Sequence, residues 1–335
     1  MTLYRTYRPK TFGELEGQEH VVQTLQGALS SGRIGHAYLF CGPRGTGKTT
    51  MARLLAKALN CEKRDTEPCN KCFSCTESNA GKSMDLIEID AASNRGIDEI
   101  RNVKESAQVA ATSSRFKVFI VDEVHMLTTP AFNALLKTLE EPPSHTLFIL
   151  ATTEPHKVPE TILSRVQRFD FKKLNHDQII AKLRTVAKAE NLTMDDESFR
   201  AIATAASGSL RDAESALAKV ISYTGTTING EETSKILGII PLKVHEELLS
   251  LIAQKQTAQA IAKIADLHES GVHLDHFAKQ FIDYLRAELL AQLPNASLVP
   301  VVQRFMQARQ DLRHSPIPQL PLELAIIDLT THASR

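Results

Sequence analysis

In the first half of the chain, short uninterrupted apolar runs alternate with longer stretches whose apolar residues recur at helical spacing. Four runs read as strands: Ala37–Cys41, Met84–Ile89, Phe116–Val121 and Thr146–Leu150. The last two are nearly continuous in apolar side chains, as a strand covered on both faces requires. Strands alternating with helices predict a parallel α/β sheet. After about Phe171 the strand signal fades. Asn175-x-x-Gln178 has the form of a reciprocal helix cap, and Glu197–Ala206 carries a helical stripe that stops at Gly208. Ser209 can cap the next helix, which places Leu210, Ala213, Leu217, Val220 and Ile221 on one face and ends before Gly225. The segment Thr224 to Gly230 is a break, and beyond Pro241 the chain is helical again. Its apolar stripes there are Leu248, Leu251 and Ile252; then Ile261, Ile264 and Leu267; then Phe277, Phe281, Tyr284 and Leu285. The pattern predicts an α/β core over residues 1–172, a small helical domain over 173–238 and a helical domain over 239–335.

A chain of 335 residues with 42% hydrophobic residues accommodates such a division and is ordinary for a globular protein. Lys and Arg total 39, as do Asp and Glu, so the formal net charge is zero. That balance excludes a polycation that coats nucleic acid but leaves room for a local basic face. With no Trp and 5% aromatic residues, a stacking platform for single strands is also disfavoured. The first ten residues, Met1 to Lys10, are charged and lack the apolar centre of a secretory signal. No apolar run approaches the ~18 residues needed to span a bilayer. The expectation is a soluble, cytoplasmic protein with no membrane partner.

Gly42-Pro43-Arg44-Gly45-Thr46-Gly47-Lys48-Thr49 matches the phosphate-loop pattern G-x-x-x-x-G-K-[ST], with a strand before it and a helix after it. The glycines let backbone N–H groups converge on phosphate oxygens, and the helix aims its positive end at them. Lys48 adds a point charge at the β- and γ-phosphates, and the Thr49 hydroxyl is a Mg²⁺ ligand. The candidate ATP-binding residues are therefore Gly42, Pro43, Arg44, Gly45, Thr46, Gly47, Lys48, Thr49 and the adjoining Thr50. The strand Val118–Val121 runs into Asp122 and Glu123, two carboxylates at the sheet edge where phosphates would lie. Asp122 would hold Mg²⁺ and Glu123 would orient or deprotonate the attacking water. The plainer alternative is a carboxylate pair that caps the next helix. His125 reads as structural rather than catalytic.

Of the five cysteines, Cys61, Cys69, Cys72 and Cys75 are spaced C-x7-C-x2-C-x2-C. Four thiolates converging tetrahedrally make a closed structural Zn²⁺ site, in a module at about residues 60–80, with no position open for catalysis. The alternatives are an iron–sulfur cluster, although the Cys-Pro ending of bacterial ferredoxins is missing, and a set of unligated thiols. Cys41, at the end of a buried strand, reads as a small core residue.

Together these motifs resemble the AAA+ ATPases, and within them the clamp-loader gamma/tau subunits of bacterial DNA polymerase III. The resemblance covers essentially the whole chain. It rests on Tyr7-Arg8-Pro9 with Phe12, Gly17-Gln18-Glu19-His20-Val21, His36 to Phe40, Asp85 to Ser93, Asp122 to Leu127, and Phe132 to Pro143. The zinc module between the phosphate-loop helix and the next strand is also typical of that family. The resemblance implies that 1–172 is the ATPase core, 173–238 a helical lid, and 239–335 a helical collar through which subunits oligomerise.

It implies further roles. Ala151-Thr152-Thr153-Glu154-Pro155 matches the segment that senses the γ-phosphate, with Thr153 favoured and Thr152 the alternative. Ile162-Leu163-Ser164-Arg165-Val166 matches a Ser-Arg-Cys motif in which Val166 replaces the cysteine. Arg165 would then be an arginine finger reaching ATP on a neighbouring subunit, a role worth about 10³–10⁵ in rate. Gly208 to Ala213 matches the second sensor, so Arg211 would touch the nucleotide, and Arg8 joins it in the expected ATP-binding set. Arg95 and Arg101 are candidates for contacting DNA backbone phosphates, which position a protein without reading sequence. The implied cofactors are ATP, Mg²⁺ and structural Zn²⁺. The implied partners are other clamp-loader subunits in a ring-like hetero-oligomer, a sliding clamp and primer–template DNA. The implied activity is ATP hydrolysis that opens the clamp and loads it on DNA during replication.

Two rival readings come from the same residues. A non-hydrolysing scaffold subunit would lack the phosphate loop or Glu123, and both are present. A helicase, suggested by Asp-Glu-x-His, should carry a second α/β core, against which the helical pattern after Phe171 counts.

Overall fold

The computed structural model describes residues 2–291 and 298–331. Its central sheet is built from β1 (Ala37–Cys41), β2 (Leu86–Asp90), β3 (Lys117–Asp122), β4 (Thr146–Thr152) and β5 (Gln167–Asp170), all parallel, in the order β2-β3-β4-β1-β5. Alternation along each strand sorts its side chains into two cores. Tyr38, Phe40, Val118, Ile120, Leu147 and Ile149 pack with the helices Glu19–Ser31 and Lys48–Leu59. Leu39, Phe119, Val121, Phe148 and Leu150 pack on the other face with the helices Ile97–Gln108 and Thr129–Glu140. Phe119 and Phe148, facing neighbours in the β3–β4 register, stack with centroids 5.2 Å apart. Cys41 is buried in the second core, as its apolar surroundings in the sequence implied, and burial pushes its thiol up to about 11.

The strand expected to start at Met84 begins at Leu86. Met84 is exposed, and Asp85 turns inward, completely buried, to accept the N–H groups of Thr112, Ser113 and Ser114 at 2.7, 2.9 and 2.8 Å. Burial alone would raise the Asp85 carboxyl pKa, but those donors hold it below its ordinary value. β5 has no counterpart among the expected strands. It lies at the sheet edge and leaves three of its four side chains exposed, so it carries no apolar run to detect.

Three helices follow the sheet: His176–Ala189, Asp196–Ala206 and Leu210–Thr224. The first opens with the reciprocal cap, Gln178 N–H to Asn175 Oδ1 at 2.8 Å and Asn175 N–H to Gln178 Oε1 at 3.0 Å. The third opens with Ser209 Oγ accepting the Asp212 N–H. The break at Thr224–Gly230 contains a strand residue pair, Thr227–Ile228, joined in parallel to Thr193–Met194.

The described chain divides into two compact units, Met1–Ile228 and Asn229–Arg335. The division therefore differs from the boundaries at 172 and 238. The three helices cluster with the sheet, and the helix Gly230–Leu237, expected in the middle part, clusters with the C-terminal helices. In the second unit Leu248, Ile264, Phe277, Phe281, Leu285 and Phe305 share one core. The stripes expected there thus mostly face inward, whereas Met306 and Leu324 are about half exposed. Among the described residues no helix is long and apolar enough to cross a membrane.

Candidate nucleotide site and cysteine cluster

The C-terminal ends of β1, β3 and β4 are neighbours, and this edge gathers the phosphate loop, the two carboxylates and the threonine pair. Gly42 leaves β1 with its N–H on Thr152 O at 3.1 Å, and a Cβ at this position would lie 2.5 Å from Phe171 O. The loop then turns, with Thr46 Oγ1 donating to Pro43 O at 2.9 Å, and the helix Lys48–Leu59 starts at its end. Lys48 is buried, and its ammonium donates to the Gly42 and Pro43 carbonyls at 2.7 and 2.8 Å. Burial lowers its pKa, while the charges of Glu123 and Asp122 oppose that shift. Arg44 is exposed, and Thr50 is half-buried on the helix.

Asp122 ends β3 and uses both carboxylate oxygens locally. Oδ2 accepts the Thr49 hydroxyl at 2.7 Å, and Oδ1 accepts the Glu123 N–H at 3.0 Å. Glu123 has φ of 48°, in the left-handed region that side chains seldom adopt and that recurs at functional sites. Its Oε2 accepts from the Thr153 hydroxyl at 2.9 Å and the Thr153 N–H at 3.2 Å. Thr152 points elsewhere. Completely buried, it lies with its Oγ1 3.0 Å from His125 Nδ1 and accepts the Glu154 N–H. His125 bridges this edge, 3.4 Å from Glu123 and 3.5 Å from Glu154.

The helix Leu210–Thr224 closes on the loop. Leu210 N–H donates to Gly45 O at 3.1 Å, and a Cβ on Gly45, whose φ is +75°, would meet Ser209 Oγ at 2.0 Å. The Arg211 guanidinium stands 4.8 Å over the Tyr4 ring, and its hydrogen bond holds the Tyr4 phenol below its usual range. Arg8 is half-buried, and burial followed by the charge of Arg53 works against its positive form. Glu214, buried on the same helix, is pushed up to about 7 by burial, with Lys182 and Arg8 opposing.

Three other candidate residues lie apart from these contacts. Arg165 pairs with Glu140 at 2.6 Å and donates to Thr161 O and Ser164 Oγ, partners outside the phosphate loop. Arg95 donates to Ala92 O, and Arg101 pairs with Asp98 one helical turn away; both are exposed. Sequence reasoning missed Tyr4, the Glu123–Thr153 contact and Glu214. For Glu214 a signal existed: it lies four residues after Leu210 and three before Leu217, on the apolar stripe of that helix.

The sulfurs of Cys61, Cys69, Cys72 and Cys75 lie within 4.8 Å of one another. Tetrahedral sulfurs about 2.3 Å from a Zn²⁺ ion sit about 3.8 Å apart, so the donor set and its spread fit that ion. Backbone N–H groups already point at sulfur: Lys71 and Cys72 donate to Cys69 Sγ, and Cys69 donates to Cys61 Sγ. The first two hold the Cys69 thiol down, to about 6. Bonds of this kind favour thiolate, the form that binds metal.

A sequence profile described as DNA polymerase III, delta subunit, matches residues 17–175, and one described as DNA polymerase III clamp loader subunit, ATPase lid domain, matches 178–226. DNA polymerase III subunit gamma of Buchnera aphidicola (from Acyrthosiphon pisum) is 39% identical over 84% of this chain and 79% of its own length. The chain belongs to the gamma/tau family of DNA polymerase III subunits. It is 40% identical to subunit tau of Bacillus subtilis over 99% of its length and 41% identical to subunit tau of Escherichia coli over 88%. It spans 64% and 46% of those two tau proteins, so it corresponds to a part of each. The fold resembles RuvB, the Holliday junction branch migration motor of Thermotoga maritima, with a TM-score of 0.52, 18% identity, and coverage of 73% of this chain and 79% of that one. This gamma/tau chain thus has an AAA+ α/β core with a helical lid, as the resemblance implied.

Proposed function

We propose that the chain is the ATP-hydrolysing motor subunit of a replicative clamp loader, opening a sliding clamp and placing it on primer–template DNA. The observation that carries this is the meeting of Thr49 with Asp122 at 2.7 Å, beside Glu123, at the sheet edge where the phosphate loop lies. Gly42 to Thr50 would cradle the triphosphate, with Lys48 exchanging its carbonyl partners for phosphate oxygens. Thr49 and Asp122 would hold Mg²⁺, which would supply charge neutralisation at the β- and γ-phosphates. Glu123 takes the proton of the attacking water, and Thr153 holds that carboxylate until the γ-phosphate competes for its hydroxyl. Arg211 and Arg8 bind the nucleotide from the lid and N-terminal sides. Arg165 leaves Glu140 to reach ATP on the adjacent subunit. Arg95 and Arg101 contact duplex phosphates, and the C-terminal helices form the collar of a hetero-oligomeric ring. The thiolates of Cys61, Cys69, Cys72 and Cys75 would hold a structural Zn²⁺.

ATP drives assembly only through tighter binding to the closed ring than to the open one. The test is ATP turnover in a reconstituted loader, with and without clamp and primed DNA, for wild type and Arg165→Ala. We expect strong stimulation in wild type and its loss in the variant, with ATP affinity retained. Turnover indifferent to clamp and primer sinks the clamp-loader function.

A further inference from the structure

Lys57 occupies the last turn of the helix that begins at the phosphate loop, and it is only 4% exposed. Its ammonium makes three hydrogen bonds: to Lys10 O at 2.8 Å, Asn70 Oδ1 at 2.7 Å and Asn79 Oδ1 at 2.8 Å. All three acceptors are uncharged. They satisfy its donors without neutralising its charge, and a buried cation without anionic charge nearby is costly.

The placement of those acceptors is informative. Asn70 lies between Cys69 and Cys72, in the left-handed conformation with φ of 58°. Asn79 lies on the helix Phe73–Ala80, which also carries Cys75. The two amides bond each other at 3.2 Å, and Asn70 also donates to Lys10 O at 3.1 Å. Lys57 is therefore held by both halves of the cysteine module and by the N-terminal segment. Burial works against the charged form of Lys57. Four thiolates around one divalent ion carry a net charge of minus two, which an adjacent cation stabilises.

We propose that Lys57 is the counter-cation of a net-negative tetrathiolate metal centre and pins that centre to the helix carrying the phosphate loop. The proposal rests on the cluster holding zinc, so metal content is measured first.

The experiment uses the full chain, with zinc per chain counted by mass spectrometry and zinc release timed with a chromophoric chelator. Lys57→Met should release zinc about tenfold faster than wild type, the scale typical of lost outer-sphere partners. Asn79→Asp is the second variant, because position 79 is exposed and the change keeps the size of the side chain and its acceptor oxygen. It gives Lys57 a carboxylate and sets a new negative charge beside a negative centre. Release should become several-fold faster while circular dichroism stays native. If Asn79→Asp raises the melting temperature and leaves zinc release unchanged, Lys57 is only an uncompensated buried charge and the proposal fails. Unchanged release in a folded Lys57→Met overturns it as well, and if that variant does not fold, Asn79→Asp decides. Wild type without zinc defeats the metal centre itself, a result distinct from either failure.

Discussion

The Thr153 hydroxyl donates to Glu123 Oε2 at 2.9 Å, and the Thr153 backbone N–H reaches the same oxygen at 3.2 Å. The carboxylate proposed to deprotonate water is thus held by the residue proposed to sense phosphate. One contact joins the ends of β3 and β4, and it gives the threonine a route to act on the base.

If the two act as a unit, their variants will not add. Glu123→Gln should lower kcat by about 10²–10⁴, the usual worth of a general base, with ATP affinity kept. Thr153→Val, which keeps shape and loses the hydroxyl, should lower kcat by a smaller factor, again with ATP affinity kept. The double variant should be no slower than Glu123→Gln alone. Steady-state turnover and fluorescent-nucleotide binding check all three, and fully multiplicative losses would separate the residues.

Gly45 tests the junction of loop and lid. With φ of +75° and a Cβ position 2.0 Å from Ser209 Oγ, an alanine there meets both backbone strain and collision. Gly45→Ala should push the start of the helix Leu210–Thr224 away from the loop and weaken ATP binding by about tenfold or more, equivalent to at least about 1.4 kcal/mol. Titration calorimetry with a non-hydrolysable ATP analogue reads this directly. Unaltered affinity would show that the lid contact is dispensable for binding.

Glu214 makes stability depend on pH. Its carboxyl moves from an ordinary 4.5 to about 7 on folding, chiefly through burial. Between those values the folded state binds the proton more tightly than the unfolded chain does. The group's contribution is therefore fully present below pH 4.5 and is lost as pH rises towards 7. The loss is on the order of 3 kcal/mol. Glu214→Gln should flatten this part of the slope in denaturant titrations at pH 5 and pH 8. An identical slope in the variant would assign the dependence to other groups.

Local signals in the sequence were enough for strands β1 to β4, the phosphate loop, the Asn175–Gln178 cap and the cysteine spacing. Each rests on periodicity or short spacing, which backbone geometry converts directly into structure. β5 escaped because Gln167, Arg168 and Asp170 face solvent at the sheet edge, so pairing with β1 alone makes it a strand. The start of β2 depended on Asp85, whose partners at Thr112 to Ser114 lie far along the chain.

What the chain determines by itself is therefore the set of chemical groups and their local conformations: a loop that can wrap phosphate, carboxylates at a strand end, four thiolates in one short segment. Only the tertiary structure decided which groups meet. It turned Thr153 rather than Thr152 towards Glu123, laid Arg211 over Tyr4, and set Lys57 among Asn70, Asn79 and Lys10. Those contacts join residues of different elements, and their distances follow from how the strands and helices pack rather than from spacing along the chain.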